Sequence, residues 1–200
     1  MSVVEATYVI APLLIAGAVH APVIKLNLLP SLNRPLDFGH TFGGRPIFGS
    51  NKTWRGPLVM SAVAVLVVLA QSQLHSVSAF RSISIIDYSQ TSWVALGLAL
   101  GLSYSLFELP NSFAKRRLGI PPGGVSRART VQYVVDQADS AVGGTLVLAF
   151  FLGLHAGTLL LVFAVGFTLH VAMDQLFFLL AVKKRPARDA PRLLEGSPTC

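Results

Sequence analysis

Five apolar runs, each close to the length needed to cross a bilayer, constrain this chain more than any other feature. They lie near 6–29, 56–73, 91–109, 134–153 and 156–182, and a membrane-crossing helix needs roughly 20 such residues. The apolar residues come in blocks rather than with the 3.6-residue period of a surface helix. Inside a bilayer, backbone N–H and C=O groups must pair within the segment, so runs of this length are helices. The charged fraction is 12% against about 25% in soluble domains, too little to cover a water-exposed surface. The expected architecture is an all-α integral membrane protein with about five transmembrane helices.

The net charge of +7 is placed unevenly. Basic residues follow the first run (Lys25, Arg34, Arg45, Lys52, Arg55), separate the third from the fourth (Lys115, Arg116, Arg117, Arg127, Arg129) and follow the fifth (Lys183, Lys184, Arg185, Arg188, Arg192). Only Arg81 lies on the other side. The positive-inside rule then predicts the N-terminus outside, the C-terminus in the cytoplasm and both basic loops at the cytoplasmic face. No basic segment precedes the first run, which is expected to stay as a span rather than be cleaved as a signal. A catalytic membrane domain is expected over 1–183, with a mobile basic tail over 184–200. Cys200 is the only cysteine, so no intrachain disulfide is expected.

Chemistry concentrates in the two basic loops. The first, Pro30 to Gly56, is rich in Gly and Pro. Its Gly44 and Gly49 have Walker A spacing, but Ser50 and Asn51 intervene before Lys52-Thr53 and no strand precedes it, so it is not a P-loop. Glycine backbone N–H groups with Asn51, Lys52, Thr53 and Arg55 nevertheless suit phosphate oxygens. Trp54 would anchor an interfacial loop. In the second loop Asn111 is expected to cap a short helix that ends at Gly119. Lys115, Arg116 and Arg117 are consecutive, so a helix fans them about 100° apart and they cannot share one ligand.

The acids are more informative, because carboxylates against an apolar core are costly and usually functional. Asp136 and Asp139 stand i, i+3 on one helical face near a helix start. Glu108 closes the third run at the same level. Three carboxylates at one depth suit magnesium, which takes one or two and completes its shell with water and phosphate. Gly143-Gly144 permits close approach of a helix or ligand. His170 and Asp174 form an i, i+4 pair that suits either a structural bond or proton handling. The stretch Ile83-Ser-Ile-Ile86 has a β-like pattern in an otherwise uninformative outer loop.

Pro35-Leu-Asp37-Phe-Gly39, Gly49-Ser-Asn-Lys-Thr-Trp-Arg-Gly56, Ser112-Phe-Ala-Lys-Arg-Arg-Leu-Gly119 and Asp136-Gln-Ala-Asp139 resemble, in order and spacing, the CDP-archaeol synthase family, which is related to the phosphatidate cytidylyltransferases. One position departs from the family pattern: Phe107-Glu108 stands where a Gly-Asp pair is usual. The resemblance implies an Mg²⁺-dependent cytidylyltransferase of the cell (inner) membrane. It would join CTP to an archaeol-type ether lipid phosphate or phosphatidic acid at the cytoplasmic face and release pyrophosphate. It implies Lys52, Arg55, Asp136 and Asp139 as catalytic, and Asn51, Thr53, Ser112, Lys115, Arg116 and Arg117 as substrate-binding. Asp136, Asp139 and Glu108 would hold the metal. The bilayer is the expected partner, nucleic acid is not, and a homodimer is among the open oligomeric states. A transporter would place polar residues at the midplane and tends to carry inverted repeats; a non-catalytic binder of anionic lipid has no use for the Asp136/Asp139 pair. The Asp-Gly-x-x-Ala-Arg signature of CDP-alcohol phosphotransferases is absent.

Overall fold

The computed structural model describes residues 1–180. The basic tail, Cys200 and the last residues of the fifth predicted span lie outside them. Among the described residues, five helices are long and apolar enough to cross a membrane: α1 Val3–Lys25, α2 Arg55–Leu74, α4 Trp93–Arg117, α5 Arg129–Leu152 and α6 Ala156–Leu179. The protein is thus a multi-pass membrane protein. A short helix, α3 Ser78–Arg81, lies in the link between α2 and α4.

Local chemistry sets the helix ends. Ser2 and Glu5 form a reciprocal capping box at the start of α1, and the Ser92 hydroxyl accepts from Ala95 N to start α4. Helix α1 keeps Pro12 and Pro22 and α4 keeps Pro110, a load tolerated in membrane helices because neighbouring groups re-satisfy the backbone. The link Gly153–His155 turns α5 back into α6 as the expected antiparallel hairpin.

The tightest helix contact is between α2 and α4. Gly97 and Gly101 stand i, i+4 on α4, against Val65 and Ser61 of α2. A Cβ at Gly101 would fall 2.3 Å from Ser61 Cα, and one at Gly97 2.5 Å from Val65 Cα. In lipid, where no hydrophobic force drives helices together, small residues that let backbones approach are what hold them. Gly143 does the same for α5 against Ser103 and Phe107 of α4. The core of Val9, Ile10, Ala64, Val68, Leu96, Leu100, Leu148 and Val162 is sealed at one end by Ile86.

Three expectations change. The Ile83-Ser-Ile-Ile86 stretch forms no strand. Its Ile86 is instead a plug, 2% exposed. The strands are in the first basic loop, where β1 Thr41–Phe42 pairs antiparallel with β2 Arg45–Pro46 across Gly43-Gly44. Both glycines have positive φ, 57° and 73°, as a two-residue hairpin turn requires. Finally, Asn111 caps nothing. Helix α4 runs through Pro110 to Arg117 and ends with Gly119 N donating to Arg116 O (3.1 Å) and Ile120 N to Lys115 O (3.0 Å), the paired bonds of a Schellman ending.

Candidate active site

Because α4 is continuous, Tyr104, Glu108, Asn111, Ser112 and Lys115 recur at helical spacing on one face. On α5, Gln132, Asp136, Asp139 and Ser140 do likewise. The two faces meet over Gly143 and enclose a polar chamber of about 280 Å³. Its walls are Asn51 and Lys52 from the first loop, Tyr104, Glu108, Asn111, Ser112, Lys115 and Arg116 from α4, Gly123 and Gly124 from the second loop, Gln132, Asp136, Gln137 and Asp139 from α5, and His170 from α6.

Charge within the chamber is cross-linked. Lys52 is ion-paired and hydrogen-bonded to Glu108. Lys115 Nζ lies 2.5 Å from Asp136 Oδ1. Asn111 Nδ2 donates to Asp136 Oδ1 at 2.6 Å and to Asp139 Oδ2 at 2.9 Å. Ser140 Oγ is 3.2 Å from both Glu108 Oε1 and Asp139 Oδ1. Burial alone would pull the Lys52 ammonium down, but Glu108, with Asp139 and Asp136 behind it, holds it above the ordinary lysine value.

These contacts bear on metal binding. Among the described residues, no group of three His, Cys, Asp or Glu is set to hold an ion; Glu108 faces Lys52 instead. Oxygens of Asp136 and Asp139 both converge on one Asn111 nitrogen, so these two carboxylates, the number that magnesium commonly takes, are the residues that could hold a divalent cation.

The loops are held by residues whose sequence context pointed elsewhere. Asp37 is 7% exposed. Its Oδ1 accepts from Gly39 N (3.0 Å) and its Oδ2 from Phe48 N (2.9 Å) and Gly49 N (3.0 Å). Burial pushes its carboxyl up, yet the donated backbone N–H groups outweigh that and hold it below the usual aspartate value. In the second loop Gln132 accepts from Ser126 N (2.6 Å) and donates to Gly124 O (3.0 Å).

Three of the expected ligands are not in the chamber wall. Arg55, expected to be catalytic, is buried and donates to Asn27 Oδ1 (3.0 Å) and Leu28 O (3.3 Å), tying the start of α2 to the end of α1. Its position as the first residue of α2 turns it away from Lys52. Thr53 bridges to Pro35. Arg117 clamps the hairpin, donating to the carbonyls of Phe42, Arg45 and Pro46, with its guanidinium 5.5 Å and 5.0 Å from the Phe42 and Phe113 ring centres. The 100° fan therefore separates the triplet. Lys115 and Arg116 face the chamber and Arg117 faces the loop. Trp54 packs near Phe38, ring centres 6.2 Å apart.

Sequence reasoning assigned no site role to Asn111, Tyr104 or Gln137. Tyr104 and Asn111 sit four before and three after Glu108 on α4, a spacing that could have found them.

Beside the chamber lies an apolar cleft of about 60 Å³. Its apolar walls are Ile10, Leu13, Leu14 and Gly17 of α1, Ala141, Gly144 and Thr145 of α5, and Val162, Gly166, Met173 and Phe177 of α6, and Tyr104, Ser140, His170 and Asp174 add polar groups to its lining. Fold and site together define a polytopic membrane protein with a charged chamber at one end of its bundle, open beside an apolar cleft among its helices.

The chain matches the family model described as CarS-like, CDP-archaeol synthase, over residues 5–186. It is similar to the CDP-archaeol synthase of Thermofilum pendens, 30% identical over 184 residues, covering 88% of this chain and 78% of that one. It is also similar to that of Pyrococcus furiosus, 35% identical over 122 residues, covering 60% of this chain and 64% of that one. A solved structure described as an intramembrane enzyme for archaeal membrane lipids biosynthesis superposes with a TM-score of 0.57 at 24% identity, over 87% of this chain and 95% of that one; this likeness concerns the fold. The chain belongs to the CDP-archaeol synthase family.

Proposed function

We propose that this protein is a CTP:lipid-phosphate cytidylyltransferase acting at the cytoplasmic face of the cell membrane. The observation that carries the reading is the junction of the two cavities. A chamber bearing Lys52, Lys115 and Arg116 beside Asp136 and Asp139 suits nucleotide phosphates, and the adjoining cleft suits lipid tails. Membership of the CDP-archaeol synthase family supports an ether lipid monophosphate as substrate, with phosphatidic acid the ester counterpart.

In this reaction an oxygen of the lipid phosphate forms a bond to the α-phosphorus of CTP. The bond from that phosphorus to the bridging oxygen breaks, and pyrophosphate leaves. Lys52, Lys115 and Arg116 hold and orient the phosphates by charge-assisted hydrogen bonds. Such transfers depend mainly on positioning and fixed electrostatics. The ion pairs to Glu108 and Asp136 keep Lys52 and Lys115 in place before the nucleotide arrives. Asp136 and Asp139 would hold magnesium, which when bound neutralises part of the phosphate charge.

The test uses purified protein, labelled CTP and a panel of ether and ester lipid monophosphates. CDP-lipid should form with at least one of them, and Asp139→Asn should abolish it while membrane insertion is unchanged. Full turnover by Asp139→Asn would remove the assignment of that carboxylate.

A further inference from the structure

Tyr104 and His170 line both the polar chamber and the apolar cleft. Their rings lie 5.6 Å apart, and the Tyr104 hydroxyl is 3.1 Å from His170 Nε2. The other ring nitrogen, Nδ1, is 3.2 Å from the Gln137 carbonyl oxygen. A carbonyl only accepts, so Nδ1 carries a proton. In the neutral ring Nε2 is an acceptor and Tyr104 the donor. The pair therefore bridges α4, α5 and α6 where the two cavities meet, with one ring nitrogen held by a backbone group.

We propose that Tyr104 and His170 form the seat for the phosphate of the lipid substrate, a positioning pair that reads the phosphomonoester where it passes from cleft to chamber. The inference rests on the cytidylyltransferase reading. A lipid whose tails occupy the cleft must bring its phosphate past this wall, where Asp174, Glu108 and Asp139 also stand, and an anionic group there is strongly disfavoured without donors. The Tyr104 O–H is a donor on a rotatable C–O bond. Turning about the C–O bond moves it from Nε2 onto a phosphate oxygen, and Nε2 remains an acceptor for a P–O–H or an ordered water. The Gln137 carbonyl keeps the imidazole oriented throughout. The headgroup is thereby set beside Lys52 and Asp139, the chamber groups that serve the nucleotide.

Free phosphate oxygens also belong to CTP, so the experiment separates the two sources. The full chain in detergent micelles is titrated with a lipid monophosphate, with the lipid alcohol of the same chains, and with CTP. Wild type is compared with Tyr104→Phe and His170→Gln, and the melting temperature is followed for each. Tyr104→Phe should weaken monophosphate binding and raise its KM about tenfold, the scale of a hydrogen bond to a charged group. Binding of the alcohol and of CTP should stay within about twofold, and so should kcat at saturating lipid. His170→Gln, which offers an amide oxygen to Tyr104, should retain more monophosphate affinity than His170→Leu. Equal weakening of monophosphate and alcohol would make the pair a packing contact and overturn the proposal. Loss of CTP affinity with unchanged lipid affinity would overturn it in favour of a nucleotide role. Selective monophosphate binding in a wild-type chain that makes no CDP-lipid would support the seat and sink the proposed reaction instead.

Discussion

Lys52 of the first basic loop is ion-paired with Glu108 of α4, a residue 56 positions along the chain. The contact ties a Gly- and Pro-rich loop to a helix, and both side chains are mostly buried, 21% and 23% exposed. Removing either partner leaves the other charge with reduced solvation. In a double-mutant cycle, Lys52→Gln and Glu108→Gln should each lower the melting temperature in detergent. The double variant should lose less than the sum, with a coupling of about 0.5–3 kcal/mol. Strict additivity would mean that the pair does not hold the loop.

Asn111 supports the two acids that would hold magnesium in the proposed reaction. Its amide bonds both Asp136 and Asp139, and such outer partners typically govern metal affinity by about 10–100-fold. Chelation of magnesium should stop CDP-lipid formation, and Asn111→Ala should raise the magnesium concentration for half-maximal rate by about that factor. An unchanged magnesium dependence in Asn111→Ala would separate this residue from the metal.

The Gly101 contact predicts a stability effect with no part in chemistry. Any Cβ there meets Ser61 backbone at 2.3 Å, and backbone cannot swing aside, so α2 and α4 must move apart. Gly101→Ala should cost about 1–3 kcal/mol, the usual range for overpacking. Melting in detergent measures it, and Gly17→Ala, which meets nothing within 4 Å, is the control.

The Asp37 carboxylate predicts a pH dependence. Its folded pKa lies below the ordinary value near 3.9, so the unfolded state takes up the proton first as pH falls. The stabilisation is therefore complete above about pH 5 and disappears as pH drops through the lowered folded value. Wild type should lose loop order in acid, as reported by Trp54 fluorescence. Asp37→Asn should already be weakened at neutral pH and change less on acidification.

The five spans and the facing acids were legible in the sequence because each depends on a one-dimensional pattern: apolar run length for the helices, and i, i+3 spacing for Asp136 and Asp139. The loops were less so. Asn111 suits a cap by its residue type, yet α4 runs on through Pro110, which in a membrane helix does not end the turn. The hairpin was written in Phe42-Gly-Gly-Arg45, a two-residue turn signal, but the Gly-rich context drew attention to phosphate. Which way Arg55 and Arg117 point depends on where α2 begins and where α4 ends, and terminal residues are the least predictable part of an element.

Arg55 gives the sharpest contrast between the two views, because its motif, Lys52-Thr-Trp-Arg55, made it a phosphate ligand. In the fold it is 6% exposed and bonds Asn27 and Leu28 at the end of α1. A chamber ligand should lose turnover and CTP affinity when neutralised, with stability little changed. An anchor should do the opposite, since its hydrogen bonds carry a full charge and are worth about 1.5–3 kcal/mol. Arg55→Gln should therefore lower the melting temperature, while CTP affinity per folded molecule stays within about threefold, well under the tenfold that a lost 1.4 kcal/mol contact gives. Lys52→Gln, at a residue that both lines the chamber and pairs with Glu108, should lower CTP affinity as well as the melting temperature. Loss of CTP binding in a fully stable Arg55→Gln protein would return this arginine to the site.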